Sequence, residues 1–228
     1  QEEAVAAYPF LSSWLAANPT VSWNTLEIDF CAIQQCLNDI NNVFIPYGTF
    51  ITNQTIVRDH AQMHGVGRTR SKIVCTDQTK PVFITGGVPN VSDLYFGHQS
   101  IPDTSQVVPN GTGIYLQNGI SDGGVLERLY IENVTSGIFL SDTDGSHLYS
   151  ASLRDIRITR FRHSAMYIGG TGHTGNVMEN IYAVNWNNYD QQTKLDATYG
   201  FVFKGMDDGI CLQLNLEHGN YGKGVVVS

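Results

Sequence analysis

Apolar residues recur along this chain at a spacing that neither a helix nor a row of hairpins uses. One pattern places them at positions x, x+3, x+5 and usually x+8. It occurs as Val91, Leu94, Phe96, then as Leu126, Leu129, Ile131, Val134, and as Leu153, Ile156, Ile158, Phe161. It returns as Met178, Ile181, Ala183, Trp186 and as Cys211, Leu214, Leu216. A shorter pattern, often led by glycine, alternates with it. Its inward pairs are expected at Val82/Ile84, Ile114/Leu116, Ile138/Leu140, Met166/Ile168, Phe201/Phe203 and Val225/Val227. Alternation within each strand means that one face is buried. A fixed long period, roughly 24 to 35 residues, means that the units stack on one another. No helical segment of adequate length separates the strands, so βαβ units are excluded, and hairpin turn signals are lacking. A parallel β-helix follows, with coils about 4.8 Å apart. Insertions are expected near residues 97–110 and 187–199.

The first residues read differently. Ala4 to Ala17 predicts a short helix ending at Asn18-Pro19, and about Asp29 to Ile40 predicts a second, with Asp29 as its N-cap. Phe30, Ile33, Leu37 and Ile40 share one face at helical spacing. Such a helix suits the unpaired end of a sheet stack. Residues 1–42 are therefore expected to form a helical cap and 43–228 the β-helix. The final strand, Gly224 to Val227, leaves an edge that further coils, a cap or partner subunits are expected to cover.

Three segments carry a family resemblance. They are Ala32-Ile33-Gln34-Gln35-Cys36-Leu37, Val43-Phe44-Ile45-Pro46-Tyr47-Gly48-Thr49-Phe50 and Met63-His64-Gly65-Val66-Gly67-Arg68. Together they resemble the opening of pectate-lyase-like (pectin-lyase-like) right-handed parallel β-helices, with an A-I-Q helix, a P-x-G strand end and a G-x-G turn. This opening is most similar to that of phage tailspikes and capsule depolymerases. The usual G-D-G-x-T-D-D-T before the helix is replaced by Leu26-Glu27-Ile28-Asp29. The resemblance implies an all-β solenoid in a homotrimer on a virion tail, beside other tail proteins, that recognises bacterial surface polysaccharide; it leaves open whether the polysaccharide is also hydrolysed. Fold alone does not fix chemistry.

Composition narrows the partners. Lys+Arg is 13 against Asp+Glu 21, for a formal charge of -8. Phosphate backbones are repelled by such a surface, so nucleic acid is not an expected partner. Ala4–Ala17 is too short to span a bilayer and follows two glutamates, so neither membrane insertion nor a signal peptide is expected from it. The cysteines Cys31, Cys36, Cys75 and Cys211 show no metal spacing and are expected to be buried free thiols, as suits a reducing compartment. No metal or cofactor is expected. Sequons stand at Asn53, Asn90, Asn110 and Asn133.

Stacking turns equivalent positions into outer columns. Ser92, Glu127, Arg154, Glu179 form one, and Asp93, Arg128, Asp155, Asn180 another. Their charges alternate, so the acids there read as structural. Two further columns are aromatic: Tyr95, Tyr130, Arg157, Tyr182, and Phe83, Tyr115, Phe139, Tyr167, Val202, Val226. Exposed aromatic faces suit sugar rings, but such columns also suit coverage by loops or a subunit interface. Tyr95, Tyr130, Arg157, Tyr182, Tyr115, Tyr167 and Asp142 are the candidate glycan contacts.

Glycan hydrolysis needs paired carboxylates. Loops leaving the shorter strands bring Asp142 and Asp144, His173 in Gly-Thr-Gly-His-Thr-Gly, and Asp207-Asp208 to one rim. The first and last groups would lie two coils, about 9.6 Å, apart. Asp144, His173, Asp207 and Asp208 are the catalytic candidates; as Asp-Gly and Gly-His turns they are equally ordinary turn chemistry. Only Arg157 is suitably placed for a lyase, so hydrolysis is the better match. A non-enzymatic virion spacer or adaptor and a secreted polysaccharide hydrolase are the competing readings.

Overall fold

A computed structural model describes every residue except 1, 104, 143–146, 189–192, 212 and 218, and only the backbone of 186–188, 193–194 and 209–211. Three helices come first: α1 (Glu2–Ala7), α2 (Leu11–Ala17) and α3 (Ile28–Ile40). The single helix expected over 4–17 is broken at Tyr8-Pro9, because proline lacks the N–H that helical continuation needs. α3 ends at Asn41, which adopts a left-handed conformation (φ 49°).

Apart from one short antiparallel pair, Trp186–Asn188 with Thr193–Lys194, the strands that follow are parallel and wound so that successive circuits stack. Each circuit has three strand segments, giving three parallel stacks joined into one curled sheet. The first stack aligns Val43, Met63, Val91, Leu126, Leu153, Met178 and Cys211 in register. The second aligns Phe50, Ile73, Phe96, Ile131, Ile158, Ala183 and Leu216. The third aligns Ile56, Phe83, Ile114, Ile138, Met166, Phe201 and Val225. Leu126, Leu153 and Met178 are fully buried, as the stacking of repeats requires. Inside, the Phe83 and Phe96 rings stack with centroids 5.4 Å apart, tying the third stack to the second.

The x to x+8 pattern is two strand segments, not one. The chain turns between them at x+2, where Asp93, Arg128, Asp155 and Asn180 all take positive φ, 50–60°. Asp and Asn tolerate this conformation. Arg128 tolerates it less, and its guanidinium compensates by gripping both carboxylate oxygens of Asp93 at 2.8 and 2.9 Å.

At the third stack the sequence misleads by one residue. Phe83, not Val82, pairs with Ile114, so Phe83 and Thr85 point inward and Ile84 points out. A one-residue slip exchanges the faces of a strand. Phe83 therefore leaves the outer aromatic column and Ile84 takes its place. Glycine leads this stack for a steric reason: a Cβ on Gly137 would run into the Ala165 carbonyl oxygen of the next coil.

α3 covers the first coil. It buries Phe30, Cys31, Ile33, Gln34 and Leu37. Its polar residues also serve the unpaired strand edge. Gln34 donates to the Val57 carbonyl and accepts the Val57 N–H, both at 2.9 Å, as a neighbouring strand would. Asp29 accepts the Ile51 N–H at 2.7 Å instead of capping its own helix, whose N-cap is Glu27. At the other end, Val225 and Val227 point along the interior file yet are 54% and 69% exposed. Cys31 and Cys75 are buried free thiols; Cys36 is exposed on the outer side of α3, contrary to expectation, and the Cys211 side chain lies outside the described residues. No helix among the described residues is long and apolar enough to cross a membrane.

Candidate functional site

The charged columns are in register as expected. Arg154 lies 3.7 Å from Glu179, while Arg128 pairs with Asp93 and Glu127. The Arg128 hydrogen bond holds the Asp93 carboxyl below the usual carboxylate range. These groups hold the corner between the first and second stacks.

The column Tyr95, Tyr130, Arg157, Tyr182 is also continuous, but its polar tips are largely engaged. Tyr95 is buried, and its hydroxyl donates to Glu132 at 3.1 Å. Burial, then the Glu132 charge, push its pKa up. Tyr130 donates to Glu132 and Tyr182 to Glu217. Arg157 sits between the Tyr130 and Tyr182 rings, 5.8 and 5.2 Å from their centroids. This face is a cation–π ladder along the stack.

The third stack carries the other aromatic column, in which Phe139 and Val202 are 6% and 1% exposed and Tyr115 and Tyr167 are half-buried. Tyr115, Phe139 and Tyr167 follow one another with centroids 5.8 and 5.3 Å apart. The insertion between Tyr95–His98 and Ile114–Ile120 folds back so that Val108 and Pro109 border Tyr115 and Phe139. Together with His163, Tyr199 and Asp142 they enclose a groove of about 470 Å³. A second hollow of about 420 Å³ adjoins it across His163, lined by Gln106, Thr135, Arg162, Asp196 and Thr198.

His163 was not among the residues singled out from sequence. A β-bulge brings it there. Val134 pairs with Phe161 but Ser136 pairs with Ser164, so the later coil holds one extra residue. Consecutive residues of a regular strand face opposite ways; the bulge lets both Arg162 and His163 line the hollow. His163 Nδ1 lies 3.2 Å from Ser136 Oγ and 3.1 Å from Ser164 Oγ. Burial lowers its pKa, which favours the neutral ring. Its ring packs 5.6 Å from Tyr167 and 5.3 Å from Tyr199.

The residues predicted for the rim lie in different surroundings. Asp142 accepts from the Tyr167 hydroxyl and from Lys204 Nζ, both at 2.6 Å, and from the Gly170 N–H at 3.2 Å. It thereby clamps the turns of three successive coils. Desolvation opposes its ionisation, but Lys204, Tyr167 and Gly170 outweigh that and hold the carboxyl below its ordinary range. His173, expected at the rim surface, is completely buried. Its Nδ1 accepts the Leu148 N–H and its Nε2–H donates to the Gly169 carbonyl, both at 2.9 Å. Both nitrogens are committed to backbone, so the ring braces the turn and is not presented to a ligand. Asp207 and Asp208 are both exposed, on the strand Met206–Cys211, where the pairing with His173 and Thr174 is irregular. Asp144 lies outside the described residues. Among the described residues no group of three or more His, Cys, Asp or Glu side chains is placed to hold a metal.

Fold and surface define a parallel β-solenoid with an aromatic groove on one face. No family profile and no curated protein matches the chain. Among solved structures it is similar to catalytic domains of GH87 α-1,3-glucanase. One, an aspartate-to-alanine variant in complex with tetrasaccharides, shares 19% identity at a TM-score of 0.55, covering 86% of this chain and 38% of that one. A second tetrasaccharide complex shares 16% identity at 0.55, covering 87% and 38%. A complex with nigerose shares 17% at 0.53, again covering 87% and 38%. At this identity the likeness speaks for the fold, and the chain spans 38% of the length of those domains.

Proposed function

We propose that this chain is a right-handed β-helix, capped by residues 1–42, that binds polysaccharide along its third face and hydrolyses it at the adjoining rim. The groove built from Tyr115, Phe139, Tyr167, Tyr199 and His163 carries the reading. Aromatic faces stack on the C–H faces of sugars, and Asp196 and Gln106 beside them offer partners for hydroxyls. Asp207 and Asp208 are exposed carboxylates assigned to the rim, with Asp144 the third candidate. Hydrolysis would use one carboxyl as acid and another as base across the bond. The opening motifs favour a phage tailspike, trimeric on the virion tail and directed at bacterial surface polysaccharide.

A secreted polysaccharide hydrolase is the second reading, favoured by the likeness to glucanases and by the exposed sequon residue Asn110. Asn133, in contrast, is 7% exposed and its amide donates to the His98 carbonyl, so it is closed to glycosylation.

The test is incubation with bacterial surface polysaccharides and α-1,3-glucan, scoring new reducing ends. The expected result is cleavage of at least one, falling by about 100-fold or more in Asp207→Asn/Asp208→Asn. Cleavage undiminished by that double change would remove the assigned acids; intact chains that still bind would leave recognition without hydrolysis.

A further inference from the structure

We infer that the Arg162 end of the groove is a subsite for an anionic sugar, set beside the aromatic end that takes a neutral one. The inference rests on the glycan-binding reading above and adds the chemical class of one sugar. Arg162 is half-buried and, among the described residues, makes no hydrogen bond or ion pair; its Nε is shielded from solvent without a partner. Arg160, two residues earlier, also has a shielded Nε without a partner, but it lies 3.9 Å from the Glu132 carboxylate, an ion pair that Arg162 lacks. Asp196 lines the same hollow yet makes no ion pair with Arg162, and it is exposed. The charge is therefore available, and a guanidinium fork matches a carboxylate bidentately.

The surroundings favour a sugar over a bare ion. The hollow's 420 Å³ suits a pyranose ring. Thr135, 2% exposed, lines it with a hydroxyl that has no partner among the described residues. Gln106, Thr198 and Asp196 supply hydrogen-bonding groups of both kinds for ring hydroxyls. His163, kept neutral by burial, separates this hollow from the Tyr167–Tyr199 end. The extra residue that aims Arg162 and His163 the same way is a bulge, a device for re-aiming side chains.

The test is an NMR titration of the full chain with glucuronate, glucose and acetate, following the Arg162 Nε–H signal and the Tyr167 and Tyr199 rings. Glucuronate is expected to move the Arg162 signal and to bind about 10-fold more tightly than glucose. Arg162→Gln is expected to bring the two sugars to equal affinity, with Arg162→Lys between. Among the described residues the Arg162 guanidinium makes no hydrogen bond or ion pair, so neither change breaks one. Equal affinity for glucuronate and glucose in the unaltered chain, or acetate acting as strongly as glucuronate, overturns the anionic-sugar subsite while leaving the aromatic groove standing. Binding of no sugar at all overturns the groove reading, and this inference with it.

Discussion

His173 shows how a residue picked for chemistry can be structural. A histidine between glycines reads as a loop residue, and nothing in Gly-Thr-Gly-His-Thr-Gly announces that the ring turns inward. The structure makes it the partner of two backbone groups. Because the Leu148 N–H points at Nδ1, protonation would set donor against donor. Burial, the largest cause, lowers its pKa from the ordinary 6.5, and that of His163 likewise. The unfolded chain therefore takes up protons near pH 6.5 while the folded chain resists until lower pH. Stability present above that value is lost as pH falls through it toward the folded pKa. The denaturation midpoint is expected to drop between pH about 7.5 and about 5, with a shallower drop in His173→Gln. Asp93 and Asp142, lowered from 3.8, act in the same direction but only in stronger acid, so the two windows separate. An unchanged slope in His173→Gln would remove the bracing role. The Phe83 slip has an equally local cause. Val82, Phe83 and Ile84 are all apolar, so alternation is silent there and only the register decides.

The elements divide between those that pattern exposes and those that bond geometry decides. Periodicity in α3 located Phe30, Ile33 and Leu37 on its buried face but wrongly added Ile40, which is 66% exposed, and the repeat located the interior files. The corner at x+2 leaves its trace in the three-residue step from x to x+3, since residues three apart in a regular strand would face opposite sides, but the step alone does not say that the chain turns there. The bulge at 162–163 was hidden: it breaks alternation, so the residues it exposes, Arg162 and His163, were assigned no face. The edge-capping role of Gln34 was also beyond pattern, since its two backbone hydrogen bonds depend on where the helix lands. Gln34→Ala would leave the Val57 N–H and carbonyl unpaired and is expected to cost roughly 1–3 kcal/mol. Leu153→Ala, a cavity in the first interior file, is expected to cost about 2–5 kcal/mol. Chemical denaturation of each variant checks both; a loss at Gln34 within error of zero would mean that water serves the edge as well.

Across the whole molecule, one geometrical fact organises the rest: residues a full circuit apart are neighbours. It makes the interior a set of apolar files, the corners ladders of charge, and two outer faces columns of aromatic rings. The face bearing Tyr130 and Tyr182 is internally satisfied by Glu132, Glu217 and Arg157. The face bearing Tyr167 is a groove because an insertion borders it and a bulge opens it. If glycan binds by stacking, Tyr167→Ala is expected to weaken it by about 1–3 kcal/mol, roughly 5- to 150-fold, read from binding isotherms. The same change in a spacer protein would leave an absent affinity absent.

Hydrogen–deuterium exchange with and without a bound polysaccharide tests the central claim most directly. Protection is predicted to concentrate in residues 106–117, 162–170 and 196–204, the segments that line the groove. Protection along Tyr130 and Tyr182 instead, or none on either face, would contradict it.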